Sequence, residues 1–150
     1  MEYRTGTMGR VIAARFDHGE DFLAGLRDLV LQENIASGWF QIIGALGKAG
    51  VVTGPKEPVV PPEPIWREVE AVCEVVGTGS IHLDNGVPKI HLHAALGDHG
   101  ETLTACVRRD SQVYLTLEVL LFELNGLGAS RPWDAPGGFS KLRFAEPNCR

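Results

Sequence analysis

The apolar residues of this chain take up a helical period once. From Arg10 to Phe16 (RVIAARF) the pattern predicts a short strand. In the next segment, DHGEDFLAGLRDLVLQENI, the residues Phe22, Leu23, Leu26, Leu29 and Val30 recur at i, i+1, i+4, i+7 and i+8 and form one face of an amphipathic helix. Asp17 is the expected N-cap, and Glu20 and Asp21 suit the positive end of the helix dipole. No later segment repeats that spacing. GWFQIIGALGKAGVVTG reads as a strand or strand pair, with Gly44 and Gly47 marking a bulge or a close approach of backbones. Residues 55–64 (PKEPVVPPEP) hold five of the nine prolines, which predicts an extended surface loop that covers a site or subunit boundary or simply links strands.

From Arg67 onward the pattern is strand after strand. REVEAVCEVVGTGSIHL is one long strand or two, with Gly77 and Gly79 as expected bulge positions. Asn85-Gly86 signals a tight turn; KIHLHAAL and ETLTACVR flank GDHG as a second hairpin; YLTLEVLLFEL is a long apolar strand. The tail ASRPWDAPGGFSKLRF is rich in Gly and Pro and predicts irregular structure. One helix and about six hairpin-connected strands give an α+β fold with a mainly antiparallel β-sheet and one principal helix. The expected organisation is a single domain over 1–150 with an irregular C-terminal tail at 125–150.

Composition narrows the function classes. With 44% hydrophobic residues in 150, the chain is a folded domain and not a disordered one. No run approaches the ~20 apolar residues of a membrane span, and MEYRTGTMGR carries no apolar signal core, so the expectation is a cytoplasmic protein with no membrane partner. Fourteen basic residues against nineteen acidic leave a net charge of -5, which opposes unaided wrapping of nucleic acid. Lys48 is followed by Ala49 and Gly50, so no phosphate loop is present there. Cys73, Cys106 and Cys149 form neither a CxxC pair nor an even disulfide framework and are read as free thiols, Cys73 in the core and Cys149 in an exposed tail.

Four of the five histidines fall between His82 and His99. In a strand over KIHLHAAL, His91 and His93 share a face and Leu92 points to the opposite one. With GDHG as the loop, Leu96 pairs with Glu101 and His91 stands across from Cys106. Moving the loop by one pair sets Cys106 across from His93, on the same face. Two imidazoles and a thiol therefore converge, and this donor set suits zinc, with copper(I), nickel or iron as alternatives. Water, His82, His99 or a carboxylate of a neighbouring chain would complete the shell. The competing readings are exposed sheet histidines beside a buried thiol, and a Cys106 nucleophile activated by His91. His99, next to Asp98 at the hairpin tip, reads as a solvated turn residue. Glu118 interrupts an otherwise apolar strand, where it orients a ligating histidine, crosses a subunit interface or simply faces solvent at an edge.

ARFDHGEDF before the helix, then IIGALGKAGV, KIHLHAALGDHGETLTACV and LTLEVLLFEL together resemble the PPC (plants and prokaryotes conserved) domain over about residues 10–124. The resemblance implies an α+β domain that assembles into homotrimers and carries the family's DNA-binding label. It also implies a metal held by the HxH histidines and a third histidine from a later GGHL-like segment. His91 and His93 match the first two positions; TACV replaces GGHL, so Cys106 stands where the third histidine would be, and Thr104 and Ala105 replace the glycines. No RGRP-type AT-hook core is present, and a trimer would triple the negative charge, so DNA association is disfavoured. The rival readings are a metal-dependent hydrolase or lyase acting on a small substrate, with Glu118 or a neighbouring carboxylate as base, and a metal-free oligomerisation module.

Overall fold

The computed structural model describes residues 1–145, so Cys149 lies outside the described residues. The elements are β1 (Thr7–Asp17), α1 (Phe22–Gln32), β2 (Ser37–Pro55), β3 (Pro64–Val69), β4 (Cys73–Asp84), β5 (Val87–Asp98) and β6 (Glu101–Asn125). Four two-residue strands follow: β7 (Ala129–Ser130), β8 (Trp133–Asp134), β9 (Phe139–Ser140) and β10 (Arg143–Phe144). The six long strands form one antiparallel sheet in the order β1-β6-β5-β4-β2-β3, and β6 also pairs with β2, so the sheet curls into a closed, barrel-like wall. The α+β reading of the sequence is confirmed. Among the described residues, no helix is long and apolar enough to cross a membrane.

The helix forms where its apolar period lies, but it begins later than Asp17. Asp21 is the N-cap: its carboxylate accepts from the Ala24 amide at 2.9 Å and from the Ser111 hydroxyl at 3.1 Å, while Ser111 Oγ accepts from the Leu23 amide at 2.9 Å. Asp17 instead starts a turn, its amide donating to Glu20 at 2.7 Å. Capping at Asp21 is preferred because it ties the first orphan amides to the bend of β6 as well as to the helix itself. The helix ends at Asn34, which adopts a left-handed φ of 55° while the Ile35 amide reaches back to the Val30 carbonyl at 2.9 Å. Phe22, Leu23, Leu26 and Val30 are buried; Phe22 meets Phe16 edge-on at 5.4 Å and Phe40 at 6.3 Å. Each such ring or leucine contributes ~1.5–3 kcal/mol of burial, and together they fix the helix against the inner face of the sheet.

Two glycine expectations resolve differently. Gly44 has a φ of 137°, and the β2–β6 register shifts just beyond it, as expected of a bulge. Gly77 and Gly79 are not bulges, because the ladders from β4 to β2 and to β5 run through them without a shift. Gly79 is small for another reason: a Cβ there would lie 2.5 Å from the Phe40 ring.

REVEAVCEVVGTGSIHL is two strands, β3 and β4, whereas ETLTACVR and YLTLEVLLFEL belong to the single 25-residue β6. β6 bends between its halves, where Asp110 and Leu115 take left-handed φ values of 51° and 58°. Its first half pairs with β5 and its second half with β1. The tail expected to be irregular folds back instead: β7 pairs with β10 and β8 with β9.

Candidate metal centre

Two tight turns set the register of the histidine strand. Asn85-Gly86 (φ 51° and 78°) joins β4 to β5, and His99-Gly100 (φ 46° and 90°) joins β5 to β6, both two-residue turns with left-handed residues whose twist matches the strands. The second turn has two residues and not the four of GDHG, so Asp98 pairs with Glu101 and Cys106 stands across from His93. His91 across from Cys106 is therefore the wrong member of the two registers. The shared face is unchanged. Leu92 is fully buried on the inner side, and His91, His93 and Cys106 all project from the outer one.

The ligand atoms of His91, His93 and Cys106 lie within 4.8 Å of one another, and the two Nε2 atoms are 3.0 Å apart. Donors bound tetrahedrally at zinc distances sit about 3.3–3.8 Å apart, so the group fits a metal after small side-chain adjustments. Burial, followed by the positive charges of Arg131, His93 and Arg108, lowers the His91 pKa to about 4, so its ring is neutral at physiological pH and keeps a lone pair for a metal. Burial pushes the Cys106 thiol up, while the Arg108 guanidinium, the Leu92 backbone and Arg131 favour its thiolate. Thiolate is the ligand form, so the neighbouring guanidinium groups lower the cost of deprotonating Cys106.

Three clefts border this group. One, of about 560 Å³, contains His93, Cys106 and Arg108 and is walled by Trp66 of β3 and Phe139 of the tail. The proline loop reaches the same cleft through Pro55 and Pro62, and its Lys56–Glu63 ion pair closes the base of the loop. Of its two expected roles, covering a site is the one the geometry favours.

A model of the Plants and Prokaryotes Conserved (PCC) domain matches residues 3–125. The chain belongs to this family. Solved structures share the fold at low identity. A metal-containing protein from Archaeoglobus fulgidus is 22% identical, covering 95% of this chain and 99% of its own, with a TM-score of 0.83. A plant- and prokaryote-conserved protein from Pyrococcus horikoshii is 22% identical over 93% and 96%, TM-score 0.76. A protein from Bacteroides thetaiotaomicron described as a candidate DNA-binding protein is 18% identical over 94% and 99%, TM-score 0.75. No curated protein matches the chain in sequence.

Within the PCC fold the remaining expected residues are placed elsewhere. Glu118 is exposed, pairs with Arg15 on β1 and Ile43 on β2, and lines a separate cleft with both. The strands β4 and β2 lie between it and β5 on that side of the wall, and it is not among the residues that converge with His93. His99 stays exposed beside Asp98. His82 is 4% exposed and its Nδ1 lies 3.1 Å from Ser37 Oγ, so it is a core residue of this PCC domain. Burial, with Arg131 nearby, lowers its pKa to about 4.

Because the folded pKa of His82 lies below the unfolded value, its protonation favours unfolding. Its contribution is complete above pH 6.5 and is lost as pH falls toward 4. By pH 5 this costs on the order of 2 kcal/mol. Urea unfolding in chelator at pH 7.5 and pH 5 is expected to show at least that loss, since His91 adds its own over the same window, and a His82→Gln variant to be flatter by the His82 share.

The sequence reading missed Arg131. It lies in the tail beyond the matched region, and the folded-back tail carries it onto the histidine face, where its Nη2 donates to Ser80 Oγ at 3.0 Å and its Nη1 to the Ser140 carbonyl at 3.3 Å. No periodicity in a Gly/Pro-rich tail announces a contact with a residue some fifty positions earlier.

Proposed function

We propose that this PCC-family chain is a metal-binding protein, with His91, His93 and Cys106 holding zinc in an open three-ligand site. The observation that carries this reading is the convergence of the three donor atoms within 4.8 Å beside a cleft. The metal content named for the Archaeoglobus relative supports it. Zinc in such a site supplies a Lewis acid with a position left for water or ligand. The chain's own part is to keep the His91 imidazole neutral, to favour the Cys106 thiolate through Arg108 and to shelter the group beneath the proline loop and tail.

The proposed assembly is a homotrimer. Trp39, Ile43, Val76 and Leu120 all stand exposed on the outer sheet face, where a second copy would cover them. Metal-dependent hydrolase or lyase chemistry is a second reading, favoured by the accessible cleft. Among the described residues no carboxylate lines any of the three clefts bordering the group, so a base would have to come from a neighbouring chain or from the ligand. DNA association, for which the Bacteroides relative is named, is opposed by the net charge of -5.

The test is elemental analysis of protein purified without a histidine tag. One zinc per chain, removed by chelator with a fall in melting temperature, is the expected result. Metal-free protein that neither takes up zinc on dialysis nor changes stability with chelator overturns the reading.

A further inference from the structure

The second cleft beside the metal centre, about 360 Å³, is lined by cations from four parts of the chain: Arg27 on α1, Lys89 on β5, Arg108 on β6 and Arg131 in the tail, with His91 among them. No carboxylate lines it. Arg4, Arg10, Arg15, Lys56, Arg109 and Arg143 are each ion-paired to an acidic residue. Among the described residues seven Lys and Arg side chains lack such a pair, and four of the seven meet in this cleft. In a chain with a net charge of -5, leaving four positive groups together without counter-charge costs stability unless an anion joins them.

Arg131 points the same way. Its Nε–H is buried with no hydrogen-bond partner, although both terminal nitrogens are held by Ser80 and Ser140. An unsatisfied donor on a half-buried guanidinium is costly, and oxyanions are the partners whose geometry suits it. Arg108 lines this cleft and also the one containing His93 and Cys106, so the two clefts adjoin, and His91 itself lines this one.

We propose that this cleft binds the carboxylate or phosphate group of a small ligand, with Arg131 and Arg108 as its oxyanion clamp and Lys89 and Arg27 at the rim. This deepens the metal-centre reading by naming the ligand class, and it rests on that reading only for the ligand's other end. The cleft is the size of a small-molecule pocket, and its position beneath the tail suits a small ligand and not a duplex.

The test is calorimetric titration of the full chain with inorganic phosphate and with malonate, in metal-free and zinc-loaded forms at low salt. Binding of at least one anion by the metal-free protein is expected, tightening when zinc is present. Arg131→Gln is expected to weaken binding at least about tenfold, as loss of a charge-assisted pair does. Lys89→Gln, at a half-buried position with no bonded partner to lose, is expected to weaken it severalfold while melting as the parent does. No binding of either anion, or unchanged binding in both variants, overturns the proposal. Displacement of phosphate by a short DNA duplex overturns its small-ligand part. Anion binding that persists in a protein unable to take zinc sinks the metal reading alone.

Discussion

Replacing His93 with alanine is expected to abolish stoichiometric zinc. Three protein donors hold the proposed ion, and His93 touches both others, standing across from Cys106 and 3.0 Å from the His91 ring nitrogen. Removing even an outer partner of a metal ligand costs about 10–100-fold in affinity, so losing one of three direct ligands exceeds roughly a hundredfold. The same change separates binding from folding. Zinc at a hundred times its dissociation constant adds about 2.7 kcal/mol of stability, which in a chain of this size raises the melting temperature by roughly 5–10 °C. That rise is expected in the parent chain and absent in His93→Ala, whose metal-free melting should match the parent's because the ring is exposed on the outer face. A variant that keeps one zinc per chain shows that the ion sits elsewhere.

Gly44→Ala is expected to be the most damaging single methyl group in the sheet. The residue holds a φ of 137°, and an added Cβ would lie 2.4 Å from the Thr116 carbonyl oxygen and 2.7 Å from the Leu117 Cα. These neighbours are backbone atoms of β6, so no rotamer change relieves the clash. Backbone strain and overpacking together cost about 3 kcal/mol or more, a fall of roughly 6–12 °C in melting temperature. Gly47→Ala three residues on is the control: its nearest atom would be Tyr114 Cβ at 3.7 Å, and its melting is expected to stay within about 2 °C of the parent. Equal effects at the two positions would refute the close-approach account of β2 and β6.

What could be read from the sequence followed periodicity and local turn chemistry. The amphipathic spacing located α1, Asn85-Gly86 located one hairpin, and the period of two placed His91, His93 and Cys106 on one face whichever register applied. What failed depended on long-range contacts. Asp21 displaced Asp17 as the cap because Ser111, ninety residues on, joins its hydrogen-bond network. Gly77 and Gly79 looked like bulges because strand glycines often are, yet Phe40 and Ala94 on adjoining strands explain their small size. The proline loop left two readings open, and only the position of the tail against it favours one. Arg131 carried no signal at all, since its role comes from where the tail folds back.

That tail has a consequence for exchange. Its internal pairings, β7 with β10 and β8 with β9, are two residues long each, whereas the wall beneath is held by ladders several times longer. Segments with so few hydrogen bonds open locally at a small fraction of the global unfolding free energy. Lifting the tail would carry Arg131, Trp133 and Phe139 away from the histidine face and leave the six-stranded sheet intact. Amide exchange in the tail is therefore expected to run far ahead of exchange in the six-stranded wall, whose strands keep His91, His93 and Cys106 aligned for as long as the protein is folded.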